Sequence, residues 1–171
     1  MCVLTRGEIE KEIDSGRLRI DPFDPSQIGP ASIDLHLGHQ IRVPHPENGG
    51  PIHVTDDADH HTHTDVVEID GYHVLEPGHT IHGVTVEQVC LPPNLCAWIE
   101  GRSRIARFGL TVHVTSGFVH PGVQNRQVLE MTNVSSTALA IHAGIRICQI
   151  VLERTEGEAV YRGRFADQAS P

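Results

Sequence analysis

Lysine is almost missing from this chain of 171 residues. It occurs once, at Lys11, so arginine supplies nearly all of the 13 cations. No apolar run approaches the roughly 20 residues that a membrane-crossing helix needs. The amino terminus also lacks a basic stretch leading into an apolar one, the mark of a secretory leader. A soluble, cytoplasmic protein without a membrane partner is therefore expected. The cysteines Cys2, Cys90, Cys96 and Cys148 form no CxxC pair and have no matching histidine spacing. That excludes a disulfide framework and a zinc module. No internal repeat and no break in composition divides the chain, and a single domain over residues 1–171 is expected. The net charge of -9 argues against a protein that coats nucleic acid.

What charge there is falls unevenly. Residues 1–100 hold five cations and 17 acids, whereas residues 101–171 hold eight cations, all arginine, and five acids. Arginine presents a planar fork of donors that matches phosphate and carboxylate. A small anionic ligand is thus expected toward the carboxy-terminal part, the alternative being that each arginine pairs with a surface acid.

Ile9 and Ile13 stand at i, i+4 behind Thr5-Arg6-Gly7-Glu8, which has capping-box spacing. One short amphipathic helix over residues 6–15 follows. Pro22, Pro25 and Pro30 then discourage regular structure as far as residue 30. Beyond it the period changes to two, with Ile33, Leu35 and Leu37 alternating with polar residues and Ile41 and Val43 resuming after a turn. Residues 44–65, rich in His, Asp, Pro and Gly, read as a mobile loop. Strand signals recur at 66–69, 72–75, 80–90, 95–100, 110–115, 126–132, 137–142 and 145–153, separated by turn residues. This is the pattern of a mainly β barrel or double sheet with one short amino-terminal helix.

Two segments could carry chemistry. His60-His61-Thr62-His63 lies among Asp56, Asp57, Asp59 and Asp65. Imidazoles and carboxylates can bind a transition metal, yet the segment lacks apolar anchors, so a solvated loop or adventitious binding is the reading adopted. The second segment runs from Glu100 to Glu130. Gly101-Arg102-Ser103-Arg104-Ile105-Ala106-Arg107 crowds three arginines and a serine between two strands. Glu130 stands inside the apolar run Val128-Leu129-Glu130-Met131. It faces either solvent or a buried partner, and burial would raise its pKa and suit it to proton transfer.

Several of these segments resemble, in order, the motifs of one family. Gly29-Pro30-Ala31-Ser32-Ile33-Asp34-Leu35-His36-Leu37-Gly38 is similar to the first signature of the dCTP deaminase branch of the trimeric dUTPase superfamily. Gly101-Arg102-Ser103-Arg104-Ile105-Ala106-Arg107-Phe108-Gly109-Leu110 resembles its central Gly-Arg-Ser-Ser-Leu-Ala-Arg motif. Val112-His113-Val114-Thr115, Pro121-Gly122, Val128-Leu129-Glu130-Met131-Thr132-Asn133 and Gly144-Ile145-Arg146-Ile147-Cys148-Gln149 follow in the family's sequence. The resemblance implies a homotrimer of distorted jelly-roll, dUTPase-like subunits with sites at subunit interfaces. It implies dCTP and dUTP as the ligands, and hydrolysis of dCTP to dUTP and ammonia by a protein-held water, without zinc. By position, Glu130 would be the general base, Ser103 and Arg107 would place the water and the developing charge, and the Ser116 carbonyl would orient the water. Arg102, Arg104 and Gln149 would reach the nucleotide. Magnesium would be bound through the triphosphate, with no metal ligand from a protein side chain. Arg107 would keep Glu130 from titrating too high.

Residues 155–171 resemble the family's flexible tail in compressed form, with Tyr161, then Arg164-Phe165-Ala166-Asp167-Gln168 as a lid that contributes Tyr161, Arg164 and Gln168 to the nucleotide. Three positions depart from the family. Arg104 replaces a serine, Asn125 stands where Gly is usual, and His120 occupies the place of an Asp that would hold the sugar hydroxyl and, in diphosphatase members, activate water. Histidine remains a hydrogen-bonding group but lacks the charge. Ser116-Gly117-Phe118 nonetheless resembles the bifunctional members. Three functions follow from the resemblance: a dCTP deaminase, a relative with altered hydrolytic specificity such as a deaminase–diphosphatase, and a non-catalytic nucleotide-binding paralogue.

Overall fold

The computed structural model describes residues 2–45, 50–113, 115–166 and 168–171. The portions of the expected 44–65 loop, 110–115 strand and 155–171 lid that fall at 46–49, 114 and 167 lie outside the described residues. The chain opens with helix α1 (Arg6–Asp14), which buries Ile9 on its inner face. Thr5 is its N-cap, with extended backbone, but makes no capping hydrogen bond through its side chain. Glu8 is instead drawn to Lys11 at 2.6 Å and to Arg154 at 3.5 Å, so opposite charge outcompetes the expected capping box. A capping box does form further on. Asp24 accepts from the Ser26 N–H at 2.7 Å, and Gln27 accepts from the Asp24 N–H at 2.7 Å. It starts a 3-10 turn at Pro25–Gln27, in a stretch where the prolines suggested no regular structure. Proline suits the first position because its missing N–H would be unpaired there anyway.

The strands that follow are β1 (Arg19–Asp21), β2 (Ile33–Pro44), β3 (Thr64–Glu68), β4 (Tyr72–Leu75), β5 (Thr80–Cys90) and β6 (Leu95–Gly101). After helix α2 (Ser103–Ala106) come β7 (Leu110–Val112), β8 (Phe118–Val119), β9 (Gln124–Asn133), β10 (Leu139–His142) and β11 (Arg146–Arg154). The large sheet has the order β7-β9-β5-β2-β11-β6-β8, with β1 added to β5 and β3 to β2, and β4 pairs with β10 apart from it. The pairings are antiparallel. The fold is mainly β, a distorted jelly roll. β2 runs through the turn expected after Leu37, and the interruption survives as a register shift against β5 between Leu37 and Ile41.

Alternating side chains build the core. Ile33, Leu35, Leu37 and Ile41 of β2 meet Leu129 and Met131 of β9 and Ile147, Ile150 and Leu152 of β11, all fully buried. Each such side chain contributes roughly 1.5–3 kcal/mol relative to exposure. Cys90, Cys96 and Cys148 are buried free thiols, and burial pushes Cys148 well up from its ordinary value. Along β9 the period of two sends Leu129, Met131 and Asn133 inward and turns Val128, Glu130 and Thr132 to the opposite face. That face is where the cavity lies. Among the described residues, no helix is long and apolar enough to cross a membrane.

Candidate active site

A cavity of about 610 Å³ opens beside β5 and β9, walled also by residues 116–123 and by the carboxy-terminal tail. Its size falls within the range of small-ligand sites. Glu130 lines it with its side chain 37% exposed, while the neighbouring His113 side chain is only 7% exposed. The His113 N–H donates to the Glu130 carbonyl at 3.1 Å, which draws the end of β7 against β9. His113 takes the left-handed backbone region at φ 61, uncommon for a residue with a side chain.

That backbone places the ring between two partners. Nε2 lies 2.8 Å from the Ser116 carbonyl, which can only accept, so Nε2 carries hydrogen and donates. Nδ1 lies 2.5 Å from Glu130 Oε2. The approach is close but out of line for a hydrogen bond, and neither atom has another polar partner. Charge, rather than direction, holds the two groups. Burial pushes Glu130 up, but the His113 ring outweighs it, and the carboxyl ends below its ordinary value. Burial pushes His113 down, the carboxylate opposes it, and the imidazole ends above its ordinary value. A carboxylate expected to be raised by burial is therefore lowered, and within one chain its partner is His113, while Arg107 is exposed elsewhere. Val112-His113-Val114-Thr115 was legible as a motif, but nothing in a sequence shows that a left-handed residue will turn its ring onto a strand 17 positions on.

His120 also lines the cavity, between two aromatic rings. It stacks on Tyr161 with centroids 5.0 Å apart and planes at 8°, and meets Phe118 edge-on at 4.8 Å. The Tyr161 N–H donates to the Pro121 carbonyl at 2.9 Å. At Gly163 a β-carbon would run into the Tyr161 ring, so the ring keeps this place only beside a glycine. Asn125 explains its own departure from the family pattern. It is buried, takes a hydrogen bond from Gln127 at 2.6 Å, and donates to the Phe165 carbonyl at 2.8 Å, tying the tail to β9. Gln168 lines the cavity and accepts from the Arg126 N–H at 3.1 Å. Arg164 lies outside the lining, 3.9 Å from Asp59.

The remaining expected residues lie elsewhere on the same chain. Ser103 and Arg104 are exposed on α2, and Arg107 is exposed at its end. Arg102 is held by Asp34 at 2.9 Å and donates to the Arg146 carbonyl at 3.0 Å, while Arg146 lies 3.5 Å from the same Asp34. Gln149 accepts from Ser32 at 2.7 Å and donates to the Gly101 carbonyl at 3.2 Å, fastening β11 to β2 and β6. Arg154 pairs with Glu12 at 2.9 Å. Arg102, Arg146 and Arg154 thus pair with acids, but with the largely buried Asp34 and Glu12 rather than with surface ones.

An ionised carboxylate gripped by an imidazole, open to a cavity that can admit water, is equipped to move protons on a small polar ligand. A β fold carrying such a site defines a class of ligand-processing proteins. The comparisons place it further. A model of the dCTP deaminase-like family matches residues 3–155, and the chain belongs to that family. A "dCTP deaminase, dUMP-forming" of Nocardioides sp. is 35% identical over 178 residues, covering 99% of this chain and 92% of that protein. Its namesake from Methanothermobacter thermautotrophicus is 35% identical over 156 residues, covering 90% and 79%. Among solved structures, a 2'-deoxycytidine 5'-triphosphate deaminase from Agrobacterium tumefaciens shares the fold with TM-score 0.70 and 23% identity over 90% of this chain. The match spans about half of that longer chain, 48%. A Staphylococcus bacteriophage 80alpha dUTPase shares it more distantly, with TM-score 0.51 and 13% identity over 86% of this chain and 96% of its own.

Proposed function

We propose that this protein is a hydrolase that deaminates dCTP, water attacking C4 of the cytosine and ammonia leaving. The observation that carries the reading is Glu130, ionised, in the cavity and held by His113 at 2.5 Å. Water is a poor nucleophile until a base takes its proton. Glu130 accepts that proton as the C–O bond forms, and returns one to the departing amine as the C–N bond breaks. His113, anchored on Ser116, fixes the carboxylate in place. Its ring holds the Glu130 carboxyl below its ordinary value, which keeps the base in its accepting form.

Ser103 and Arg107 enter the reaction from a second copy of the chain. They are exposed on a segment that does not line the cavity of their own subunit, as a trimer with sites between subunits requires. In that arrangement Ser103 of the partner subunit holds the water and Arg107 of the partner subunit faces the developing charge. Arg104 meets the triphosphate from the same side. Arg102 and Gln149, engaged within their own subunit, shape the loop that presents these residues. Tyr161, Arg164 and Gln168 lie on the tail beside the cavity, where they close over the nucleotide. Glu130 is the one acidic side chain lining the cavity among the described residues, and His113 occupies it. A magnesium ion therefore fits as a companion of the triphosphate oxygens rather than as a protein-held group. Bound there, it neutralises phosphate charge.

The relatives' names favour a reaction that runs on from dUTP to dUMP, a second water releasing pyrophosphate. His120 favours a stop at dUTP, because a ring stacked on Tyr161 replaces the carboxylate that would activate this second water. Incubation with dCTP, dUTP or CTP and magnesium, with ammonia and pyrophosphate followed separately, decides between them. Ammonia together with pyrophosphate establishes dUMP, and ammonia alone establishes dUTP. Release of neither product from any of the three nucleotides refutes the enzyme and leaves a nucleotide-binding paralogue.

A further inference from the structure

The histidines left out of the proposed reaction do not form a featureless loop. Asp59 caps a 3-10 turn at His60–His63, accepting from the His61 N–H at 3.1 Å. The same Asp59 oxygen lies 2.8 Å from His61 Nδ1 and 4.0 Å from His60 Nδ1. One ligand atom from each of Asp59, His60 and His61 falls within 4.8 Å of the others. A fourth group arrives from a different element. His82 of β5 meets the His60 ring edge-on at a centroid distance of 5.5 Å. His60, His61 and His82 all line the cavity that holds Glu130, and His82 stands directly opposite Glu130 in the β5–β9 register.

Three imidazoles and one carboxylate are a donor set for a borderline divalent transition metal, and a poor one for magnesium. Tetrahedral bonds of about 2.0–2.1 Å put neighbouring donor atoms roughly 3.4 Å apart. The Asp59, His60 and His61 atoms, within 4.8 Å of one another, lie on an exposed turn whose side chains can close toward that spacing.

We propose that Asp59, His60, His61 and His82 bind one divalent transition-metal ion, Zn2+ or a chemically similar cation, at the mouth of the Glu130 cavity. All four positions are filled by protein, so the ion is a latch and not a reagent. It pins the 59–61 turn to β5, the strand that carries the partner position of Glu130. It also claims the carboxylate that Arg164 approaches at 3.9 Å, so that metal and tail compete for Asp59. The site lies at the mouth of the cavity proposed for deamination, but its test does not pass through that activity.

Untagged protein, stripped with chelator and dialysed, is titrated with Zn2+ in competition with a chromophoric chelator. One ion per chain is expected, undisturbed by a large excess of Mg2+. Asp59→Asn, His61→Gln and His82→Gln should each weaken binding on the order of 100-fold, at or beyond the upper end of the 10–100-fold that loss of a supporting outer-shell partner costs. His53→Gln and His63→Gln should leave it within a few-fold. Absence of binding overturns the proposal. So does binding lost equally in His63→Gln, which would show loose chelation by a histidine-rich segment. Should His82→Gln fail to fold, the X-ray absorption spectrum of the wild-type zinc complex decides. Three imidazole ligands uphold the site, and two or fewer overturn it.

Discussion

Replacing His113 by asparagine removes the imidazole while keeping a side chain that tolerates the left-handed backbone at φ 61. Glu130 then retains its burial but loses the cation 2.5 Å away. The contact is an ion pair rather than a hydrogen bond, and because 37% of the Glu130 side chain is open to water, screening holds it to about 1 kcal/mol. With that contact gone, burial acts alone and the Glu130 carboxyl rises. The acid limb of the ammonia-release rate should move to higher pH. The variant then loses several-fold more activity at pH 5 than at pH 7.5. Initial rates from dCTP, measured across pH 4–8 at saturating magnesium, read the shift directly. Wild-type and variant profiles with the same acid limb would refute the coupling of these two residues.

The same pair makes stability depend on pH with a definite sign. The folded state lowers Glu130 below its ordinary 4.5, so its contribution is complete above that value and is lost as pH falls through the folded pKa. The folded state raises His113 above 6.5, so its contribution is complete below that value and is lost as pH rises through the folded pKa. The melting-temperature difference between wild type and His113→Asn should therefore be largest between about pH 4.5 and 6.5.

Glu130→Gln should lower ammonia release by about 10²–10⁴-fold, the usual contribution of a positioned base, while dCTP binding by calorimetry changes little. A variant with near wild-type turnover removes Glu130 from the mechanism. In Gly163→Ala the new β-carbon displaces the Tyr161 ring from His120, so trypsin should cut the tail at Arg162 and Arg164 faster than in wild type. Unaltered digestion would show that the stack does not hold the tail. Asp34→Asn leaves Arg102 and Arg146 without their shared carboxylate, whose side chain is 16% exposed. Urea unfolding should show a loss of about 1–3 kcal/mol, and no loss would mean that water replaces the pair at no cost.

Local rules carried the reading far along this chain. The i, i+4 isoleucines placed α1 within one residue of its end, and the alternation of Ile33, Leu35 and Leu37 found β2. Where local rules failed, a longer-range interaction had won. Glu8 left its capping role for Lys11 and Arg154, the latter brought in from the last strand. The two-residue β8 and the three-residue β1 exist because neighbouring strands complete their ladders, and such lengths leave too few residues for a period to show. Asn125 looked like a departure from a family motif and proved to be the anchor of the tail.

The sequence by itself determined the mainly β architecture and the family, and it singled out Glu130 as the carboxylate proposed to act as the base. Each of these is written in spacing or in ordered motifs, and both survive without coordinates. Only the tertiary structure decided what Glu130 touches. His113 reaches it through one left-handed backbone angle, and that contact reverses the pKa shift that burial alone would produce. Tertiary structure alone, too, set His82 beside His60 and Tyr161 upon His120, across 22 and 41 positions of chain. Sequence periodicity assigns a residue to a face; which side chains from other strands share that face depends on pairing and register.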